Sequence, residues 1–374
     1  MGSKTNSSRT FPTDGLCEYI FYDSVYKAGP VEFEPYDLDA DFRLFIDERK
    51  RFAATEFGIG YSFRYAYYLK EVIASTTAPA PFMMWYLWRH RICHFGVVDT
   101  PTRDLNESYV TAALESLKIA DKVTDQHRAK GYVCITVFAA VIPDDTWENY
   151  YLDAFPNIFT PQLFIALGHY ECGDNTFQDC HVVPPTLLSR PAQLSAANSS
   201  YQHDMTVTAD SVGKMAARGV KAVWAISVTM KGRWTVPEET ETPGFLCACA
   251  YDPEAKSFGS YAEVCNDPKF GHEYNYSLEL HAAQYYSASD HRLFSFDDEV
   301  ALGQKLCTVK ARHTSIDIGI AVFDVDYEDF DNVCARTNWG GKFSRLRAVQ
   351  LLLNFFRTKF SDPSANDTCL GLIT

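Results

Sequence analysis

The chain has 374 residues, 47% hydrophobic and 22% charged, with 34 Lys+Arg against 48 Asp+Glu and a formal charge of −14. Those figures exclude a disordered or fibrous chain, and net acidity without a basic block argues against nucleic acid as a partner. The longest apolar runs, VCITVFAAVIP and VWAISV, fall short of the roughly 20 residues a bilayer span needs, so no transmembrane segment is expected.

In chain order, residues 1–15 read as an irregular N-terminal segment. Seven short, nearly continuous apolar runs then follow: CEYIFYD from Cys17, EFGIGYSF from Glu56, CHFGVVD from Cys93, VCITVFAAV from Val133, QLFIALGHY from Gln162, AVWAISVTM from Ala222 and IGIAVFDVD from Ile318. Such runs suit parallel strands covered on both faces. Amphipathic stretches between them predict crossover helices, clearest over Leu105 to Arg128, Asp204 to Arg218 and Phe343 to Phe360. Residues 173–201, rich in Pro, Ser and Asn, predict a long loop. Residues 233–290, too long for a crossover, predict an inserted subdomain. The expected fold is α/β, a TIM-type (β/α)8 barrel one strand short of eight. It would run over residues 16–232 and 291–360, interrupted by a small α+β insertion and followed by a tail at 361–374.

Eleven cysteines accompany five Asn-x-Ser/Thr sequons, at Asn6, Asn106, Asn198, Asn275 and Asn366. Together they favour a secretory context, extracellular or at the cell surface, where disulfides and N-glycans persist. The opening MGSKTNSSRT has no apolar core of the kind an export signal requires. The expectation is that a signal has been removed or that the chain starts inside a longer protein. An odd cysteine count fits the second idea.

Several segments, taken in order, resemble glycoside hydrolase family 18, the chitinases and chitinase-like proteins. LCEYIFYD at Leu16 is similar to the family's second barrel strand. AVWAISVTMKGRW is similar to the seventh strand and its Tyr-Gly-Arg turn, here Lys231, Gly232 and Arg233. FGSYAEVC at Phe258 resembles the insertion's Tyr-Tyr-Glu-x-Cys, and RLFSFDDEVALGQKL at Arg292 resembles the stretch leading into the seventh helix. GIAVFDVDYEDFDNVC followed by GGKFSRLRAV resembles the eighth strand and closing helix. The resemblance implies that the seven runs are strands two to eight and that the first strand is missing by N-terminal truncation. This would leave Cys17 without its family partner, two sheet edges unpaired and the fold poorly stable unless the protein extends upstream. It also implies a Cys265–Cys334 disulfide. Cys172 and Cys180 are placed to close the loop after the fifth run, and Cys93 and Cys134 read as buried thiols.

In family 18 the fourth strand carries Asp-x-x-Asp-x-Asp-x-Glu, whose glutamate protonates the glycosidic oxygen while the substrate's acetamido group attacks. Aligned on Pro101, the glutamate falls on Asp99 and the aspartates on Ile92, Phe95 and Val97. Asp99 is one methylene shorter, which draws its carboxyl back by roughly 1.5 Å against a proton-transfer reach of about 2.6–3.2 Å. Val97 offers no carboxylate to raise the acid's pKa or orient the acetamido group. Elsewhere the family's Tyr-Asp pair falls on Gly168 and His169, its turn tyrosine on Lys231, its floor tryptophan on Phe323, and its Gly-Gly-Trp on Gly60, Tyr61 and Ser62.

The resemblance therefore implies a non-catalytic member that binds a polysaccharide or glycoprotein glycan, chitin-like or another amino sugar, or else a protein partner. Candidate contacts are Tyr61, Asp99, His169, Tyr170, Lys231, Trp234, Phe323 and Asp324, with Trp339 as a further aromatic; exposed Tyr and Trp stack well on sugar rings. Asp99, His169, Lys231 and Asp324 or Asp326 would converge at one barrel mouth, better read as charge-paired than as a metal site. DVDYEDFD lacks the glycine turn of a calcium loop. No cofactor and no metal are expected. Two alternatives stay open: a glycosidase using Asp99 as a displaced acid on a different glycan, and a protein-only ligand or inhibitor acting through the loops at 173–201 and 237–251.

Overall fold

The computed structural model describes residues 5–25, 38–75, 82–194, 200–239, 241–270 and 274–373. They divide into two compact units, residues 1–166 with 214–225 and residues 167–213 with 226–374.

Each of the seven predicted runs overlaps a strand: β1 (Tyr19–Val25), β2 (Glu56–Tyr61), β3 (Ile92–Val97), β4 (Thr136–Ala140), β5 (Leu163–Ala166), β6 (Val223–Thr229) and β12 (Ile318–Phe323). They form one seven-stranded sheet in chain order, β1-β2-β3-β4-β5-β6-β12. Strands in chain order joined by helices are the arrangement of a TIM-type barrel. Between β6 and β12 in the chain lies a separate antiparallel sheet of order β8-β7-β11-β10-β9, made of β7 (Gly232–Thr235), β8 (Phe258–Gly259), β9 (Asn275–Ser277), β10 (Ala282–Ser287) and β11 (Arg292–Phe296).

In the first unit, every residue of β3 and β4 is buried, which is why these segments are apolar without alternation. Parallel register pairs Ile20 with Phe57, Ile59 with Phe95, Gly96 with Val137 and Phe138 with Phe164. The N-terminal segment is part of this unit. Phe11 packs its ring on Phe45, Phe52 and Phe57, and the Asp14 carboxylate accepts hydrogen bonds from the backbone N–H groups of Ala53, Ala54 and Thr55. The helices α1 (Ala40–Glu48), α2 (Ala66–Ser75), α3 (Phe82–Arg89), α4 (Glu107–Arg128) and α5 (Asp145–Asn157) belong here. Asn106 caps α4 by accepting from Ser108 N at 2.9 Å, and Asp144 caps α5 by accepting from Trp147 N at 3.0 Å, so both satisfy helix-end donors.

α6 (Met205–Ala217) precedes β6, and α7 (Glu299–Arg312), α8 (Ser344–Thr358) and α9 (Asn366–Leu370) complete the second unit. Its core joins Ile226 and Val228 of β6 to Leu302 and Leu306 of α7 and to Val349 and Leu352 of α8. A second cluster, Trp234, Phe294, Phe296 and Tyr285, fills one face of the antiparallel sheet. Gly232 is required there, since a Cβ at this position would meet the Phe294 ring at 2.0 Å.

Four disulfides are present: Cys93–Cys134, Cys180–Cys249, Cys265–Cys334 and Cys307–Cys369, while Cys17, Cys172 and Cys247 are thiols. Two expectations are corrected. Cys180 bonds Cys249 rather than Cys172, because residues 180–182 run beside 247–249 and exchange backbone hydrogen bonds, Cys249 N to Cys180 O at 3.0 Å and Val182 N to Cys247 O at 3.0 Å. Cys93 and Cys134 are not thiols. They precede the register pair Phe95 and Thr136 by two residues each, which sets them side by side.

Candidate functional site

Asp99 lies two residues beyond the end of β3. One carboxylate oxygen accepts from Phe63 N at 2.6 Å and the other from Ser24 Oγ at 3.1 Å. Ser24 belongs to β1, and Phe63 opens the 3-10 turn Phe63–Tyr65 that leads from β2 into α2. Asp99 thus clasps the C-terminal ends of three neighbouring strands and caps a turn, with both oxygens used as acceptors. A general acid must instead present a proton to the leaving oxygen. Ile92, Phe95 and Val97, aligned with the family's aspartates, are fully buried. Tyr61 is also fully buried, stacked on Phe95 at 5.9 Å between ring centres.

In the second unit, Lys231 Nζ pairs with Asp324 Oδ1 at 2.8 Å, the side chains 24% and 18% exposed. Thr229 donates to the other Asp324 oxygen at 2.6 Å and accepts from Lys231 N at 3.1 Å. Lys231 stands over the rings of Phe258 and Tyr327 at 4.9 and 5.4 Å, a favourable cation–π setting. Burial alone would raise the Asp324 pKa, but the Lys231 ammonium outweighs it and holds the carboxyl below its usual range. Burial likewise opposes charge on Lys231, and Asp324 more than offsets it, lifting the amine above its ordinary value. The two are therefore a fixed charge pair, neither poised to exchange protons near neutrality.

His169 sits next to this pair, its ring 4.6 Å from that of Phe323. Its Nδ1 is 2.6 Å from Ser227 Oγ, which also accepts from Gly168 N at 2.9 Å. Burial, partly countered by Asp324, pushes the imidazole down to about 3. A hydroxyl beside a neutral imidazole has the spacing of a nucleophile and base, yet His169 and Ser227 are buried at 1% and 0% exposure. The pair fastens β6 to the chain leaving β5. Asp326 is buried in the 3-10 turn Val325–Tyr327.

Three of the aromatic candidates are buried. Tyr61, Tyr170 and Trp234 offer no free face: Tyr170 donates its hydroxyl to His203 O and packs on Tyr201 and His203, and Trp234 lies in the core of the antiparallel sheet. Trp339, at 53%, is exposed. Asn6, Asn106 and Asn275 are exposed and Asn366 half-buried, and Asn198 lies outside the described residues. Sequence reasoning missed Ser227 and Thr229, although polar residues at alternate positions of an otherwise apolar strand were a legible sign of a face turned to polar partners. It also missed Asp174, which binds Arg233 in a fully buried ion pair.

No family model and no curated relative matches the chain. Solved structures do. A chitinase from Trichuris suis described as immunomodulatory and active is 14% identical, with 93% of this chain and 95% of that one covered and a TM-score of 0.64. A Group IV chitinase of Ostrinia furnacalis is 12% identical, with 95% of each chain covered and a TM-score of 0.68. Human YKL-39, described as a pseudo-chitinase with retained chitooligosaccharide binding, is 12% identical, with 93% and 94% covered and a TM-score of 0.67. Seven parallel strands in chain order, with an antiparallel sheet between the sixth and seventh, thus give this chain the fold of the chitinases and chitinase-like proteins.

Proposed function

We propose that the protein is a secreted chitinase-like protein that binds an amino-sugar glycan of the chitin type without cleaving it. The observation that carries this reading is the state of Asp99. The one carboxylate at the family's acid position is committed through both oxygens to Ser24 and Phe63, and the positions before it are buried hydrocarbon. Such a site has lost the proton relay that the substrate-assisted mechanism needs. YKL-39, of the same fold, combines a pseudo-chitinase with chitooligosaccharide binding, which supports binding as the retained property. Four disulfides and the sequons support passage through the secretory pathway.

Titration calorimetry with chitotetraose, beside mass spectrometry of the same sugar after prolonged incubation, tests the proposal. Saturable binding with the tetramer intact is the expected result. Shortened products that disappear in Asp99→Asn would establish the displaced-acid glycosidase instead, and absence of any heat of binding would leave a protein partner as the ligand.

A further inference from the structure

At the opposite end of β3 from Asp99, three potential metal ligands converge. Cys93 is the second residue of β3, Cys134 lies two residues before β4, and His127 belongs to the last turn of α4, the helix that joins these strands. Their ligand atoms all lie within 4.8 Å of one another. His127 is only 6% exposed, and neither ring nitrogen has a hydrogen-bond partner. A buried imidazole with two unused nitrogens is unusual, since such groups are nearly always satisfied. Its plane is fixed by a sandwich, Trp88 at 4.8 Å on one side and Tyr132 at 4.0 Å on the other, both rings stacked. That stacking does the orienting work that a hydrogen bond to the second nitrogen ordinarily does for a metal-binding histidine.

We propose that Cys93, Cys134 and His127 form a latent Cys2His site for a thiophilic divalent cation such as Zn2+, closed while the disulfide stands and opened by its reduction. A dithiol or phosphine supplies two electrons and becomes oxidised; with two protons the Cys93–Cys134 bond becomes two thiols. Metal binding releases those two protons, and the imidazole contributes a lone pair. Two thiolates neutralise the dication, which suits a buried position. The helix end is favourable as well, because the C-terminal end of a 22-residue helix carries partial negative charge that attracts a cation. Three protein ligands leave the fourth tetrahedral position to water.

Cobalt(II) is the probe, since thiolate coordination gives it an intense near-ultraviolet charge-transfer band. Phosphine-reduced full-length protein should bind one equivalent with that band, and the oxidised protein should not. His127→Ala should weaken binding more than about 10-fold, the loss that even an outer-shell partner can cause, and Cys93→Ser with Cys134→Ser should abolish it. Alkylation mapped by peptide mass spectrometry gives an independent reading: zinc should protect Cys93 and Cys134 selectively among the eleven cysteines, in the wild type and not in His127→Ala. An unchanged affinity in His127→Ala overturns the proposal. So does labelling that is uniform with and without zinc, including the case in which reduction unfolds the chain.

Discussion

Arg233 belongs to β7, in the segment whose sequence resembles the family's Tyr-Gly-Arg, but its charge is spent inside the protein. The guanidinium is 1% exposed and its partner Asp174 is 0% exposed. Arg233 donates to Asp174 through Nε at 3.1 Å and Nη2 at 2.5 Å and also binds Cys172 O at 2.8 Å, while Tyr201 donates to Asp174 at 2.8 Å. Desolving two charges is expensive, and only full pairing repays it. Arg233→Met should therefore cost about 3–5 kcal/mol, because it strands a buried carboxylate. Arg233→Met combined with Asp174→Leu should recover most of that loss, since a buried pair and its hydrophobic replacement are often near parity. Urea denaturation of the two variants checks this. A double variant no more stable than Arg233→Met alone would mean that Asp174 holds the loop by its hydrogen bonds and not as a counter-charge.

At the scale of elements, α4 depends on a residue that is also a sequon asparagine. Asn106 Oδ1 accepts from both N and Oγ of Ser108, whereas glycosylation would use the amide nitrogen, so cap and glycan are compatible. Asn106→Ala should cost about 1 kcal/mol of stability through loss of the cap. Asn106→Asp, which removes the glycan acceptor and keeps an oxygen at a helix N-terminus, should be neutral or slightly stabilising. Denaturation of unglycosylated protein separates the two, and equal losses would show that the cap contributes nothing. The elements themselves were legible because β3, β4 and their neighbours are buried on both faces and so read as unbroken apolar runs. For the same reason the facing of Tyr61 was not legible: without alternation, nothing in the strand marks which side chain looks toward solvent. Cys265 and Cys334 came from a resemblance that spans the chain, but Cys93 with Cys134 depends on cross-strand register and Cys180 with Cys249 on a chance adjacency of two loops. Neither is written in local spacing.

For the molecule as a whole, buried histidines set the acid limit of stability. Burial, reinforced by Arg49, pushes His94 from its ordinary 6.5 down to about 4, and burial pushes His169 to about 3 and His203 to about 4. The hydrogen bonding agrees at His94, whose Nδ1 accepts from Ile135 N at 3.1 Å, so a proton at that nitrogen would break a bond already made. The unfolded chain takes up protons at these sites as pH falls through 6.5 and the folded chain does not. Stability therefore rises with pH across that interval and declines on acidification, by at most about 1.4 kcal/mol per pH unit for each histidine. The loss from His94 and His203 should level off near pH 4, where the folded protein also binds protons. Asp324, held low by Lys231, adds its own loss only below its unfolded value of 3.8. Thermal melting between pH 7.5 and 4, in steps of about half a unit, should show a steady fall starting near 6.5. His94→Gln should reduce the slope by about one proton's worth, since its amide can still accept from Ile135 but cannot titrate. A melting temperature flat from pH 7 to 5 would mean that these imidazoles protonate in the folded state, and the packing around them would have to open to let that happen.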